Sequence, residues 1–491
     1  MDTLSSANVE SEITHEIPED YSGDSQSALI VDFVRKRTQL FHDINKEVYA
    51  TNNTTGETRR IDSRGFKDWL FSELYELTGK AVRDQSMREA LTTLTGIGRY
   101  KEKCIEVHIR AAKLGEAYYL DLAEPGKSRA IKISEGCWQI VDSTPVRFVR
   151  SESMGALPEP VRGGKIDALW SLINIPKESR LLVLAWITDC LRPDTPFPIL
   201  ELNGEQGSAK STTQTILRRL IDPNACDLRS APKTVEDVFV GAGANWLCSY
   251  ENISYLSSAM QDAFCVIATD GGYAKRKLYS DADETVIKAK RPIILNGISI
   301  AITAQDLIDR TITVETPVIE DRFDVSKLWE DFHAIQGMLL GALMDIMADA
   351  LALLPTVTIP KENRPRLVEF AKLGMAVAQA TGSTQTAFLE AFNASREESI
   401  ARTIDASPVA TAFLAWHEYK RISNVTMTVN GLFQEITEFK PDGTDSWPKS
   451  AKGFGDALRR LAPALRQMGI ECKSLGKQGG TVKWSVVTKG N

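Results

Sequence analysis

The spacing of apolar positions changes several times along the chain, and each change marks a boundary. Apolar residues about 3.6 apart predict helices, and short apolar or alternating runs between turn-formers predict strands. Residues 29–164 mix the two. Helices are predicted over 66–78 and 86–96 and strands over 105–109 and 117–122; a further strand over 130–133 follows the turn Glu124-Pro125-Gly126, as in a hairpin. This is a small α+β domain. Residues 165–196 read as a largely apolar helical collar. Across 197–320 short apolar strands alternate with helices, the pattern of a parallel sheet. The helical period takes over from 321 to 405, as in Leu339-Leu340-Gly341-Ala342-Leu343, and suggests a helical lid. The remainder, 406–491, reads helix, helix, helix, strand, strand. No internal repeat is present.

At 491 residues the chain is too long for one core, and domains of ~100–200 residues predict about three units. A hydrophobic share of 43% and a charged share of 25% are ordinary for a globular protein and argue against wholesale disorder. No apolar run approaches the ~18 residues of a membrane span, and the N-terminus lacks a basic leader, so a cytoplasmic protein without a membrane partner is expected. The seven cysteines are scattered without a CxxC pair, which argues for reduced thiols and against a disulfide framework or a zinc ribbon. The five histidines are equally dispersed.

A net charge of −7 disfavours a nucleic-acid partner until its distribution is considered. Asp2, Glu10, Glu12, Glu16, Glu19, Asp20 and Asp24 precede the first basic residue, Arg35, so 1–28 reads as a disordered acidic tail. From Lys449 onward nine basic residues face two acids, a local surplus suited to a nucleic-acid patch.

The chemistry concentrates near the middle. An apolar strand, Pro198-Ile199-Leu200-Glu201-Leu202, runs into Asn203-Gly204-Glu205-Gln206-Gly207-Ser208-Ala209-Lys210-Ser211-Thr212 and then a helix. Strand, glycine-rich loop and helix are the setting of a P-loop. Gly204 and Gly207 let consecutive N–H groups face one phosphate, and the helix N-terminus adds partial positive charge. Lys210 is expected to reach the β and γ phosphates of ATP, with the Ser211 hydroxyl on Mg²⁺. Ala209 stands where the usual pattern has glycine. The bland alternative is a Gly/Ser turn with a chance lysine, against which the flanking strand and helix weigh.

Three further residues complete the expected site. Glu251 ends the strand Trp246-Leu247-Cys248-Ser249-Tyr250, about forty residues on, and is the candidate to hold Mg²⁺ or polarise the attacking water. The Asp-Glu pair of many ATPases is absent, since Asn252 follows, and a helix-capping role for Glu251 is the alternative. Asn296, at the tip of Pro292-Ile293-Ile294-Leu295, reads as a sensor beside the γ-phosphate rather than a simple turn-former. Arg310 lies fourteen residues beyond it and is the candidate finger for a neighbouring subunit's γ-phosphate; pairing with Asp306 or Asp309 is the alternative.

These motifs resemble the superfamily 3 AAA+ helicase domain of primase-helicases from phages, phage satellites, plasmids and large DNA viruses. The resemblance covers 199–317 and rests on Gly-Glu-Gln-Gly-Ser-Ala-Lys-Ser-Thr at 204–212, the lone acid Glu251, Thr269-Asp270-Gly271-Gly272-Tyr273-Ala274-Lys275-Arg276-Lys277-Leu278-Tyr279, Asn296 and Arg310. Ring helicases of the minichromosome-maintenance type are similar at Ala209. Segments 157–164 and 364–370 look like bacterial mobile-element members. Many relatives carry an N-terminal primase; residues 29–164 offer no paired carboxylates or zinc site, so a primase is not expected here. The resemblance implies an α/β fold with a P-loop AAA+ core. It also implies a homo-oligomer, a hexamer, with ATP sites between subunits and single-stranded DNA in its channel, acting on forked DNA. A separate primase or initiator protein is a further implied partner.

Two segments are candidates to hold DNA. Lys275, Arg276 and Lys277 precede the acidic turn Ser280-Asp281-Ala282-Asp283-Glu284, and Lys288, Lys290 and Arg291 follow it, which predicts a basic β-hairpin before the sensor strand with Lys288 and Lys290 on one face. The resemblance places a DNA-translocating hairpin here; a solvated basic face is the alternative. The second is the helix predicted over 452–468, with Arg459, Arg460 and Arg466, followed by two strands around Gly476-Lys477-Gln478-Gly479-Gly480: the order of a winged helix, a form that contacts either DNA or protein. Two other functions stay open: a ring ATPase that remodels proteins or acts in phage defence, and an ATP-switched DNA-binding regulator.

Overall fold

The computed structural model describes residues 25–269, 271–276, 284–298, 301–320, 324–361, 364–405, 407–442, 447–478 and 480–488. The expected acidic tail lies outside them except for its last residues. The chain divides into one unit of Met1–Leu114, Tyr119–Lys132 and Gln139–Ala156, and a second of Gly115–Tyr118, Ile133–Trp138 and Leu157–Asn491.

The first unit opens with α1 (Gln26–Arg37), β1 (Thr38–His42), β2 (Val48–Asn52), β3 (Thr58–Arg60), α2 (Arg64–Thr78) and α3 (Asp84–Lys101). The helix α1 corrects the sequence reading, which ran the tail to residue 28. Ser25 caps it by accepting from the Ala28 amide, and Ile30, Phe33 and Val34 share one face that is buried with Leu70 and Leu94. The β1-β2-β3 sheet was likewise unforeseen, because β1 carries a single apolar residue on each face, Leu40 on one and Phe41 on the other, too few to show a period. There follow β4 (Val107–His108), β5 (Ala111–Leu114), β6 (Ala117–Asp121), β7 (Ala130–Ser134), β8 (Cys137–Val141) and β9 (Arg147–Phe148). The strands expected over 117–122 and 130–133 are β6 and β7, in the sheet β5-β6-β7-β8. The strand expected over 105–109 shrinks to β4, whose only ladder partner is the two-residue β9.

In the second unit the expected collar is helical in pieces: 3₁₀ turns at Ile166–Ser171 and Lys177–Ser179, then α4 (Arg180–Asp189). Pro176 withholds the amide a continuous helix would need. The centre comprises β10 (Ile199–Asn203), α5 (Lys210–Ile221), α6 (Val235–Ala244), β11 (Cys248–Tyr250), α7 (Ser258–Thr269), β12 (Gly272–Arg276), β13 (Glu284–Lys288), β14 (Ile293–Gly297), α8 (Gln305–Ile308) and β15 (Thr311–Glu315). Four strands form a sheet in the order β11-β14-β10-β15, every pair parallel. Every residue of β10 and β14 is buried, as expected for strands covered on both faces. The helix α5 packs on one face; Ile199, Cys248, Tyr250, Ile293 and Leu295 look the other way, into a cluster with α6, α7 and α8.

Helices α9 (Val325–Leu353), α10 (Val368–Ala380) and α11 (Gln385–Asp405) follow. The sequence reading found no apolar run near membrane length, yet α9 is long and apolar enough to cross one; most of that stretch is buried inside the unit, as in a core helix. One reason for its burial is a strap, residues 159–164, laid across it. The Val161 amide donates to the Gly337 carbonyl at 2.8 Å, and a Cβ on Gly341 would stand 1.9 Å from the Val161 carbonyl oxygen. Ordinarily glycine to alanine inside a helix gains ~1 kcal/mol. Here the added methyl meets backbone that can move only by surrendering the strap, so overpacking of about 1–3 kcal/mol or more wins. Gly341→Ala is therefore expected to lower Tm in calorimetry, and an unchanged or raised Tm would contradict the strap.

The chain ends in α12 (Pro408–Lys420), β16 (Asn424–Thr428), α13 (Val429–Thr437), α14 (Ala451–Gln467), β17 (Ile470–Gln478) and β18 (Thr481–Thr488). Against the expected helix, helix, helix, strand, strand, the structure inserts β16 and completes an antiparallel sheet, β16-β18-β17. Val425 and Met427 pack against the core while their neighbours alternate outward, a period of two that the sequence carried in five residues.

Candidate nucleotide site

The loop 204–209 joins the C-terminal tip of β10 to the first turn of α5. Gly204, Gly207 and Ala209 all have positive φ, at 156°, 92° and 52°. The sequence departure at Ala209 thus falls where glycine is easiest; holding alanine left-handed costs ~1–2 kcal/mol. At Gly204 a Cβ would lie 2.5 Å from both the carbonyl oxygen and Oγ1 of Thr316, so no side chain fits. Glu205, Gln206 and Gly207 are exposed, Ser208 is buried, and Ser211 and Thr212 are half-buried. No side chain caps α5, so its first amides face the loop unclaimed by any cap.

Lys210 folds back over this loop. Its Nζ donates to the carbonyls of Gly204 (2.8 Å) and Glu205 (2.7 Å) and to Ser208 Oγ (3.1 Å). Burial holds its ammonium below the ordinary lysine range. Ser208 Oγ lies 3.0 Å from Thr316 Oγ1, which donates to the Asn203 carbonyl, and Asn174 Nδ2 donates to the Ser208 and Pro317 carbonyls. The loop is braced from the strand side and from the segment before α4.

Glu251 directly follows β11, and Ser211 Oγ donates to its Oε2 at 3.5 Å. The strand that leads to it does not adjoin the loop strand, since β14 stands between β11 and β10. That places Asn296, near the end of β14, between β10, which leads into the loop before Lys210, and β11, which leads to Glu251. The Asn296 side chain is buried, accepting from the Asn252 amide at 3.0 Å and donating to Gln214 Oε1 at 2.7 Å. Gln214, one turn into α5 from Lys210, donates to Ser249 Oγ and the Tyr250 carbonyl. Sequence reasoning passed over Gln214, whose only signal was its place four residues after the lysine on the same helix face. It also passed over Glu201, a carboxylate inside a buried strand. Burial pushes that carboxyl up to about 7, while the amides of Ala301 and Ile302 and the Thr313 hydroxyl donate to it.

Arg310 is not brought to this cluster. Its Nη1 donates to Asp306 Oδ2 at 2.6 Å and to the Asp306 carbonyl at 2.7 Å, the pairing that the sequence left as the alternative. Arg366 pairs with the same carboxylate, and Arg396 meets Asp309 at 3.2 Å. Burial opposes charge on Asp306, but the Cys265 thiol and the two guanidinium groups hold its carboxyl below the usual range.

The expected hairpin forms: β12 and β13 pair antiparallel, with Lys275 opposite Thr285 and Gly272 opposite Lys288. Lys275 and Arg276 are in β12, whereas Lys277 and the acidic turn from Ser280 to Asp283 lie outside the described residues. Lys288 is the exposed last residue of β13, but Lys290 lies beyond the strand and is half-buried, so the two do not share a strand face. The chain leaves the strand because Ala289 turns into the core. Arg291 is structural: its Nε donates to the Ala242 and Asn245 carbonyls and its guanidinium lies 5.4 Å from the Trp246 ring centre.

Residues 166–400 match the family described as the actinomycete integrative conjugative element replication protein, and residues 409–489 match that described as the AICE RepA C-terminal domain. No curated protein matches the chain. Among solved structures, the A form apo structure of the NrS-1 C terminal region (CTR) is similar at 13% identity and a TM-score of 0.40, over 95% of this chain and 100% of that one. The apo structure of NrS-1 C terminal region (305-718) is similar at 12% identity and a TM-score of 0.38, over 95% and 100%.

Proposed function

We propose that this chain, a replication protein of the actinomycete integrative conjugative element family, hydrolyses ATP at the β10–α5 loop and uses the turnover to move along DNA. On this reading the loop is a P-loop in an AAA+ core of superfamily 3 type, and the last module is a winged helix. The observation that carries it is the convergence of loop, Lys210, Ser211, Glu251 and Asn296 at the C-terminal edge of one parallel sheet, where open α/β sheets place their ligands.

The residues fit the group. Gly204 leaves a backbone cradle that a Cβ would fill, the first turn of α5 is uncapped, and Lys210 occupies the loop with a partly desolvated ammonium. Bound Mg²⁺, held by Ser211 and Glu251, would supply positive charge against the phosphates. Lys210 exchanges its loop carbonyls for the β and γ phosphates. Glu251 orients and polarises the attacking water, and Asn296 fixes the place of that water through its ties to Gln214 and the Asn252 amide. Water adds to the γ-phosphorus, the bridging oxygen leaves with ADP, and the water proton passes toward Glu251. In a hexameric ring Arg310 serves the neighbour's site, after exchanging Asp306 for the transferring phosphoryl group. Lys275, Arg276 and Lys288 of the β12–β13 hairpin, with Lys277 next in the chain, contact DNA phosphates without reading sequence; Lys290 is withdrawn from that set.

Turnover accelerated by single-stranded DNA supports this reading; turnover indifferent to DNA favours a protein remodeller, and none at all favours a nucleotide-switched regulator. Asn296→Ala is expected to bind a fluorescent ATP analogue nearly as the parent does while phosphate release slows by about a hundredfold. Loss of binding comparable to that of a Lys210 variant would remove Asn296 from the hydrolytic step.

A further inference from the structure

The face of α14 turned away from the core is unlike the rest of this acidic chain. Phe454, Leu458, Leu461, Ala462, Ala464 and Leu465 are buried, while Lys452, Arg459 and Arg466 are exposed. Their seven-residue spacing stacks the three on one side of the helix, over about 21 Å at ~1.5 Å per residue. Beside them runs the β17–β18 ribbon, with Lys473 and Lys477 exposed and Lys483 half-buried. Across the described residues 447–488 eight basic side chains face two acids. Both acids are already engaged, Asp456 by Arg459 and Glu471 by Lys473. Among the described residues no acid pairs with Lys452, Arg460, Arg466 or Lys477. Like charges gathered this closely destabilise the free protein and call for a polyanion.

The same face tells what kind of polyanion. Unpaired bases are held by exposed aromatic rings on which they stack. Neither the exposed side of α14 nor the described part of the ribbon carries one: Phe454 and Trp484 are buried. Tyr419, the large exposed aromatic of this module, belongs to α12 and packs against Phe439. Long flexible cations without stacking partners suit a backbone whose bases are already paired, and a projecting helix suits the major groove.

We propose that the Lys452–Arg459–Arg466 face of α14, with the β17–β18 ribbon, grips the phosphates of double-stranded DNA. This goes beyond the hairpin reading, which concerns single strands. Because α14 packs on α8, the short helix leading into Arg310, the duplex is held beside the ATPase sheet.

The test uses the full chain without nucleotide, titrated against a fluorescent duplex and a single strand of equal length. Replacing Lys452, Arg459 and Arg466 together by alanine is expected to weaken duplex binding at least about tenfold and to make the slope of log K against log salt shallower by about three. Single-strand binding and DNA-stimulated turnover should stay within about twofold, since phosphate contacts are local. The ribbon variant Lys477→Ala/Lys483→Ala should weaken duplex binding in the same direction, and Tm checks the fold of both. Unchanged duplex affinity and slope in both folded variants overturns the proposal. So does a parent that binds single strands but not duplex, or that binds neither and leaves the face to an acidic protein. Lost duplex binding in a chain that never hydrolyses ATP would sink the motor reading and leave this one standing.

Discussion

Lys210→Ala is expected to cut ATP turnover by about a hundred- to a thousandfold, the scale of losing one charged donor at a transferring phosphoryl group. The fold should survive. In the free chain the ammonium satisfies two loop carbonyls and the Ser208 hydroxyl, and water replaces such contacts at partly exposed positions with a net loss of only about 0.5–1.5 kcal/mol each. Circular dichroism and Tm should therefore stay near the parent's while phosphate release collapses. A folded variant that turns over ATP at the parent's rate would take the nucleotide site away from this loop altogether.

Arg310→Ala should fall further, by ~10³–10⁵, if the arginine meets charge developing on a neighbour's phosphoryl group. A sharper result comes from mixing. Arg310→Ala and Lys210→Ala are each inert alone, but subunits exchanging at random in equal amounts pair an intact loop with an intact finger at about a quarter of head-to-tail interfaces. Turnover should return toward that fraction in an assay with single-stranded DNA. No recovery despite demonstrated subunit exchange would contradict action between subunits. Near-normal turnover by Arg310→Ala alone would pass the role to Arg366, which already shares the Asp306 carboxylate, or to Arg364.

The strand, loop and helix around Lys210 were legible because a tight turn dictates residue types, not merely polarity: glycine stands at 204 and 207, where φ is positive, between an apolar strand and a helix. The order of strands around them was not. Nothing in β10, β11 or β14 taken alone says that Asn296 stands between the other two; crossovers and packing decide that. Gln214 and Glu201 escaped for the same reason, since their partners lie 35 or more residues away in the chain. The helix α1 was missed because an acidic neighbourhood hid three well-spaced apolar residues, and β16 because five residues give a period of two little room to show. Lys288 and Lys290 were paired by counting along a strand that ends between them.

The apolar cluster beneath the sheet has a consequence for inheritance. It runs without a break from Ile293 and Leu295 through α7 and α8 to Phe413, Trp416, Leu458 and Trp484 of the last module. Genes on mobile elements are reshuffled, and hybrids persist where a junction severs few contacts. A junction between α11 and α12 looks convenient along the chain, yet it would seat Trp416 and Phe413 against apolar surfaces shaped with a different tail. Deleting the tail would bare those surfaces to water, an exposed patch of the kind that drives aggregation. Viable hybrids at this point should carry paired changes on both sides of the seam, and the four-stranded parallel sheet and the C-terminal module should descend together.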